Sequence, residues 1–102
     1  MKNREVVILP SAINDIEDIT RFVTDHTSEL NAIEYADELI DEINKLAYSA
    51  DSILITTSET IKHFHPQAQR MLTKNRKWNI IFHKTDKHVF VHKILPSKMI
   101  IR

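Results

Sequence analysis

The chain has 102 residues and contains neither cysteine nor glycine. That length fits one domain; the missing cysteine excludes disulfides, thiolate zinc knuckles and a thiol nucleophile, and the missing glycine excludes phosphate cradles of the Walker and dinucleotide types, whose backbone must stay unobstructed. Net charge is zero but sorted, with four basic and 12 acidic side chains in residues 1–51 against ten and two in residues 52–102, where five of the six histidines also lie. Such sorting predicts a basic surface opposed to an acidic one, suited to phosphates or an acidic partner. Acidic helices pairing with a basic sheet would give the same pattern. No apolar run approaches the length of a membrane span. Only Val6 to Leu9 follow the polar start Met1–Glu5, too short a stretch for a secretory signal. A cytoplasmic protein without a membrane association is the expectation.

Glu5-Val6-Val7-Ile8-Leu9 predicts a short strand, rich in β-branched residues. Pro10-Ser11 ends it, with Ser11 placed to cap a helix. Asp15, Glu17 and Asp18 then sit early in that helix, where its dipole favours anions. Ala12, Ile16, Ile19 and Val23 form an apolar stripe at helical spacing. After the polar break Asp25–Ser28, a second helix carries Ile33, Ala36, Ile40, Ile43 and Ala47 on one stripe, with Leu39 and Leu46 beside it. The short connection makes the two helices an antiparallel hairpin, and amphipathic spacing assigns both stripes to the core.

Residues 51–69 give a weak pattern, with Ser58 placed to cap a turn through Glu59–Lys62 and Pro66 interrupting any regular element. Arg70 to Thr73 is a candidate strand. The clearest strands come last. Lys77 to Lys84 alternates Trp78, Ile80 and Phe82 against Lys77, Asn79, Ile81 and His83, and Lys87 to Leu95 alternates as well. With Thr85-Asp86 as the turn, His83 faces His88. One face then pairs Phe82 with Val89, Ile80 with Val91 and Trp78 with Lys93. The other pairs His83 with His88, Ile81 with Phe90 and Asn79 with His92. A one-residue slip would mix these sets and bury His92. Pro96 ends the strand, and Met99-Ile100-Ile101 is expected to pack back onto the domain. The fold class is α+β: a strand, an antiparallel helical hairpin, then an antiparallel β-meander, with the hairpin on one side of the sheet. Residues 1–102 are expected to form a single domain.

A metal reading rests on His63-x-His65 and on His83, His88 and His92, since imidazole is a common ligand. Nearby carboxylates are few, Glu59 and Asp86. Scattered surface histidines fit better than the ligand sets of real sites, and neither a metal nor a cofactor is expected. Trp78, Phe82 and Phe90 are the aromatics able to stack on bases. Trp78 and Phe82 fall on the predicted core face. Phe90 lies between His88 and His92.

The element order and several local patterns resemble the RelE/ParE toxin superfamily. Leu9-Pro10-Ser11-Ala12 followed by Asp15-Ile16-Glu17-Asp18-Ile19 resembles its first-strand and first-helix signature. Ala32, Tyr35, Leu39, Ile43 and Leu46 match its second-helix spacing. Trp78-Asn79-Ile80-Ile81-Phe82 and Val89-Phe90-Val91-His92-Lys93-Ile94-Leu95 resemble its later strands. The resemblance covers most of the chain outside residues 51–69. Ala50-Asp51 stands where the family often has proline, and the end reads Leu95-Pro96-Ser97-Lys98 where it often has a histidine–arginine or histidine–tyrosine pair. Asn79 falls where ribonuclease members carry an arginine.

The resemblance implies the β-α-α-β-β-β fold. It also implies the growth-inhibiting toxin of a bacterial type II toxin–antitoxin system of the plasmid-stabilisation kind, neutralised by a cognate antitoxin through which an oligomer can assemble. Two activities are open: a metal-independent endoribonuclease acting on messenger RNA at the ribosome, or a non-enzymatic inhibitor of DNA gyrase. A degenerate member that keeps antitoxin binding alone is a third alternative. RNA cleavage through the substrate's 2′-hydroxyl needs proton-transfer groups and cations. That requirement makes His83, His92 and Arg76 the candidate catalytic residues. Arg70, Lys74, Lys77, Asn79, His88, Phe90 and Lys98 are the candidate RNA- or partner-binding residues.

Overall fold

A computed structural model describes residues 3–53 and 58–99. The first strand, β1 (Glu5–Ile8), runs directly into α1 (Pro10–His26). The helix starts earlier than Ser11 would set it. Pro10 is at its first turn with its φ preset for helix, and extended Leu9 takes the N-cap position. The Ser11 hydroxyl instead accepts from Lys93 Nζ at 3.3 Å. The break at Thr27-Ser28 matches expectation: the Ser28 hydroxyl accepts from Asn31 N–H at 3.1 Å and starts α2 (Glu29–Asn44). A short α3 (Leu46–Ser49) and a 3₁₀ turn (Ala50–Ser52) follow. Glu59–Lys62 forms the expected helical turn, α4, with Ser58 in the N-cap position.

Three strands complete the fold: β2 (Gln69–Leu72), β3 (Trp78–Lys84) and β4 (His88–Pro96). The four-stranded sheet has the order β1-β4-β3-β2, with β1 parallel to β4 and the other pairs antiparallel. Ile100 and Ile101 lie outside the described residues, and Ser97–Met99 forms a 3₁₀ turn. No helix among the described residues is long and apolar enough to cross a membrane.

The helical hairpin covers one sheet face. Ala12 and Ile19 of α1, Leu39 and Ile43 of α2, and Leu46 of α3 pack on Ile80, Phe82, Val89, Val91 and Ile94. On α2 the buried stripe is displaced from the expected one. Ala32 is 1% exposed, whereas Ile33 is 51% exposed. The opposite sheet face is covered as well. Ile61 and Ala68, with Phe64 beside them, bury Ile81 completely. Segment 58–68, whose pattern in the sequence is weak, supplies that cover.

The β3–β4 register also departs from expectation. His83 opposes Phe90, not His88, and Phe82 opposes Val91. The loop is longer than two residues: Thr85 N–H donates to His88 O at 2.9 Å, and His88 N–H to the Thr85 hydroxyl at 3.1 Å. Two-residue hairpin turns favour glycine or asparagine at positive φ, and Thr85-Asp86 offers neither. The shift is by two residues, so side chains keep their faces. Ile80, Phe82, Val89 and Val91 are all fully buried. A bulge then follows, where Ile81 pairs with Lys93 and leaves His92 as the extra residue. Ile94, not Lys93, therefore faces the core beside Ile80. Lys93 reaches round the sheet edge to Asp15 at 2.8 Å, and the second Asp15 oxygen accepts from Ile94 N–H at 2.9 Å.

Arg4 ties the hairpin loop to the helices. It is 7% exposed; its Nε donates to Thr85 O at 2.7 Å and its guanidinium to Asp51 at 2.9 Å. Lys84 Nζ meets the other Asp51 oxygen at 2.7 Å. Arg4, then Lys84, hold the Asp51 carboxyl well below the usual carboxylate range.

Candidate functional site

Alternation along β3 and β4 puts His83, His88, Phe90 and His92 on the sheet face away from the helical hairpin. The aligned strands there build a row of rings. His65, delivered by segment 58–68, lies flat on His83 with centroids 3.7 Å apart and planes 1° apart. Phe90 stacks on His83 at 5.1 Å, and His88 on Phe90 at 5.5 Å. The bulge turns His92 toward the row, so that His83 Nδ1 and His92 Nε2 share a hydrogen bond of 2.6 Å. His65 Nδ1 accepts from Gln67 N–H at 3.0 Å.

Burial lowers the His83 pKa from 6.5 to about 4, helped by the neighbouring His65 and His92. His92 is lowered by burial and by His65. Both rings are therefore uncharged at neutral pH. In the unfolded chain each titrates near about 6.5. As pH falls from there toward 4, the unfolded state takes up protons that the folded state refuses, and stability drops. Above that window the contribution is fully present. The expected loss between pH 7 and pH 4 is about 1–2 kcal/mol after allowing for solvent screening at a partly open site. Urea midpoints across that range measure it. In His83→Asn the slope should flatten, and an unchanged slope would contradict the assignment.

Cations gather elsewhere. Lys74, Arg76, Lys77 and Lys98 surround the β2–β3 turn, which also receives the end of β4 through Ser97 N–H to Lys77 O at 2.9 Å. Arg76 holds a φ of 63° there, the left-handed region that glycine takes at least cost. Thr73 and Asn75 brace the turn: the Thr73 hydroxyl donates to Asn75 Oδ1 at 2.6 Å, and the same oxygen accepts from Lys77 N–H at 3.0 Å. Arg76 is seven residues from His83, roughly 20 Å along a strand. Arg70 stands midway, opposite Ile81, and lines a groove of about 360 Å³ with Leu72, Asn79 and Ser97. Asn79 is 5% exposed at its floor. The side chains of Arg70, Lys74, Arg76, Lys77 and Lys98 are exposed and form no ion pair among the described residues.

A third feature lies between the helical hairpin and the start of β3. A cleft of about 430 Å³ is lined by Phe22, Val23, His26, Tyr35, Lys77 and Trp78, among others. The Trp78 indole N–H donates to the Tyr35 hydroxyl at 2.7 Å, and Asn75 Nδ2 to the same oxygen at 3.1 Å. Phe22 is 60% exposed at the cleft, and Leu30 and Ile33 are 66% and 51% exposed along the hairpin.

The structure thus joins His83 to His92 and to Phe90, and Phe90 to His88. It places Arg76, Lys74, Lys77 and Lys98 at the other end of the hairpin, away from both histidines. Sequence reasoning missed His65 as part of the ring row, noticing it only as half of a chelating pair. The available signal was Ile61, Phe64 and Ala68, an apolar set that presses segment 58–68 onto the sheet. Tyr35 was seen as one position of a helical stripe, and nothing in its spacing pointed to the Trp78 indole.

No family model and no curated protein matches the chain. Among solved structures, a chain of the one described as "Chromosomal ParDE TA system from P. aeruginosa" superposes with a TM-score of 0.77 at 13% identity. The match covers 92% of this chain and 96% of that one. The chain therefore has the same fold as that chain of the ParDE system.

Proposed function

We propose that this chain is the toxin component of a type II toxin–antitoxin pair, and that it inhibits growth in the cytoplasm by binding its target rather than by cutting RNA. One observation favours binding over chemistry. The only proton-transfer groups proposed for cleavage, His83 and His92, are bonded to each other beneath His65, and the cations proposed with them lie mostly at the far end of β3. Phosphoryl transfer needs both kinds of group on one phosphate. The resemblance makes DNA gyrase the target class for a non-catalytic inhibitor. The fold neighbour belongs to a toxin–antitoxin system, and the cleft at Phe22 and Trp78 offers an antitoxin segment an apolar seat.

Expression of the chain alone should arrest growth, and co-expression with its cognate antitoxin should restore it. RNA ends should stay unchanged while DNA breaks accumulate. His83→Ala and His92→Ala should leave the arrest intact, whereas loss of a general acid or base costs an enzyme about 10²–10⁴-fold in rate. Cut transcripts that vanish in the histidine variants would reverse the reading in favour of the ribonuclease. Absence of any arrest would leave a chain that binds antitoxin alone.

A further inference from the structure

We propose that His83 and His92 form a two-imidazole chelate for a borderline-soft divalent ion, such as Zn²⁺ or Ni²⁺. The proposal stands apart from the toxin reading. It rests on where two nitrogens point. His83 Nδ1 on β3 and His92 Nε2 on β4 converge to 2.6 Å, and the bulge at His92 is what turns the second ring onto the first. A single proton now lies between two lone pairs aimed at the same point. A metal ion would take that proton's place, and the ring that held it would pass to the tautomer protonated at its other nitrogen, so that both rings ligate as neutral imidazoles with no net proton lost.

The geometric change is small. With two zinc–nitrogen bonds of about 2.0–2.1 Å in a tetrahedral arrangement, the nitrogens stand about 3.3 Å apart. The present gap has to open by less than about 1 Å, which small rotations of both rings supply. Imidazole ligates only when uncharged, and a histidine of ordinary pKa, about 6.5, is already mostly so at neutral pH. Nitrogen ligands select zinc, nickel or copper over magnesium and calcium, which take oxygen donors.

His65 does not complete a three-ligand set. Its ring is parallel to that of His83 and 3.7 Å above it, so an ion in the plane of one ring is out of the plane of the other. Consistently, no group of three or more histidine, aspartate or glutamate side chains among the described residues is arranged to hold a metal. His65 serves as a lid over the pair, pinned by its Nδ1 bond from Gln67 N–H. Water or a partner's side chain would fill the remaining positions.

Thermal unfolding of the full chain at neutral pH, with zinc chloride, nickel chloride or magnesium chloride added, tests the site. At a zinc concentration about tenfold above Kd, Tm should rise by about 5–10 °C for a domain of this size. Magnesium should give no rise. His83→Asn and His92→Asn should each abolish the zinc effect, and His63→Asn should keep it. If the asparagine variants do not fold, nitrogen NMR of the unaltered chain decides. Zinc should move the His83 Nδ1 and His92 Nε2 resonances and leave those of His26 and His63 in place. No rise with zinc or nickel, a rise that survives both substitutions, or unmoved resonances at His83 and His92 would overturn the proposal.

Discussion

Phe82→Ala should cost the fold about 3–5 kcal/mol, the usual range for emptying a buried phenylalanine site. Phe82 is the largest fully buried side chain described, at 0% exposed. It stands at the centre of β3, opposite Val91 on one neighbour and Gln69 on the other. Its ring belongs to the core in which both hairpin helices meet the sheet. Truncation would remove the apolar contacts and leave a cavity that the helices fill only in part. Domains have about 5–15 kcal/mol of stability in total, so a substantial fraction of this variant should be unfolded well before the unaltered chain is. Phe90→Ala is the matched control. Phe90 is half-buried on the opposite face, stacked between His83 and His88, and its loss should be clearly smaller. Urea unfolding of the two variants side by side measures the difference. Equal losses would mean that the sheet's two faces contribute alike and that the core is not where Phe82 lies.

The same hairpin shows what could be read in the sequence and what could not. Period-two alternation is a property of each strand alone, so the inward sets Ile80, Phe82 and Val89, Val91 were legible. Which residue opposes which depends on the loop, and Thr85-Asp86 carries no strong turn signal. The true register was lost for that reason, although faces survived because the error was an even number of residues. A bulge leaves no local mark, so the swap of Lys93 for Ile94 on the core face was not legible. Helix positions were clear from 3.6-residue spacing, but which flank of α2 turns inward depends on what it packs against. Ile33 was placed inside for lack of that knowledge. Residues 58–68 show the same limit more strongly: their few apolar positions make sense only once Ile81 is there to be covered.

Charge sorting is explained by both of its readings at once. Lys84 with Asp51 and Lys93 with Asp15 join the basic half to the acidic half, as helices neutralising a sheet would. Arg70, Lys74, Arg76, Lys77 and Lys98 are left over, exposed and clustered toward one end. Exposed ion pairs contribute little to stability; on the proposed function, the leftover charge would act as a long-range field toward an acidic partner. Such a field acts over a screening length of about 8 Å at physiological ionic strength. It speeds encounter and weakens with salt, but it does not supply a tight seat.

Phe22 is the place to look for that seat. Phe22 is 60% exposed on α1 and faces a cleft with Trp78 at its wall; on the proposed function it would be an anchor for the antitoxin, since a few apolar residues carry most of the binding energy of such contacts. Phe22→Ala should weaken the complex with the antitoxin by about 2 kcal/mol or more, roughly 30-fold in Kd. Because Phe22 is largely solvent-exposed, Tm should scarcely change, which separates lost binding from lost folding. In cells the variant should still arrest growth but escape rescue by co-expressed antitoxin. Lys77→Ala, at the same rim, should act differently: the loss should appear in the association rate and shrink as salt is raised. If Phe22→Ala abolishes arrest while the antitoxin complex keeps its affinity, the cleft belongs to the growth-inhibition target and the antitoxin must dock elsewhere. Unchanged Kd together with unchanged arrest would remove the cleft from both interactions.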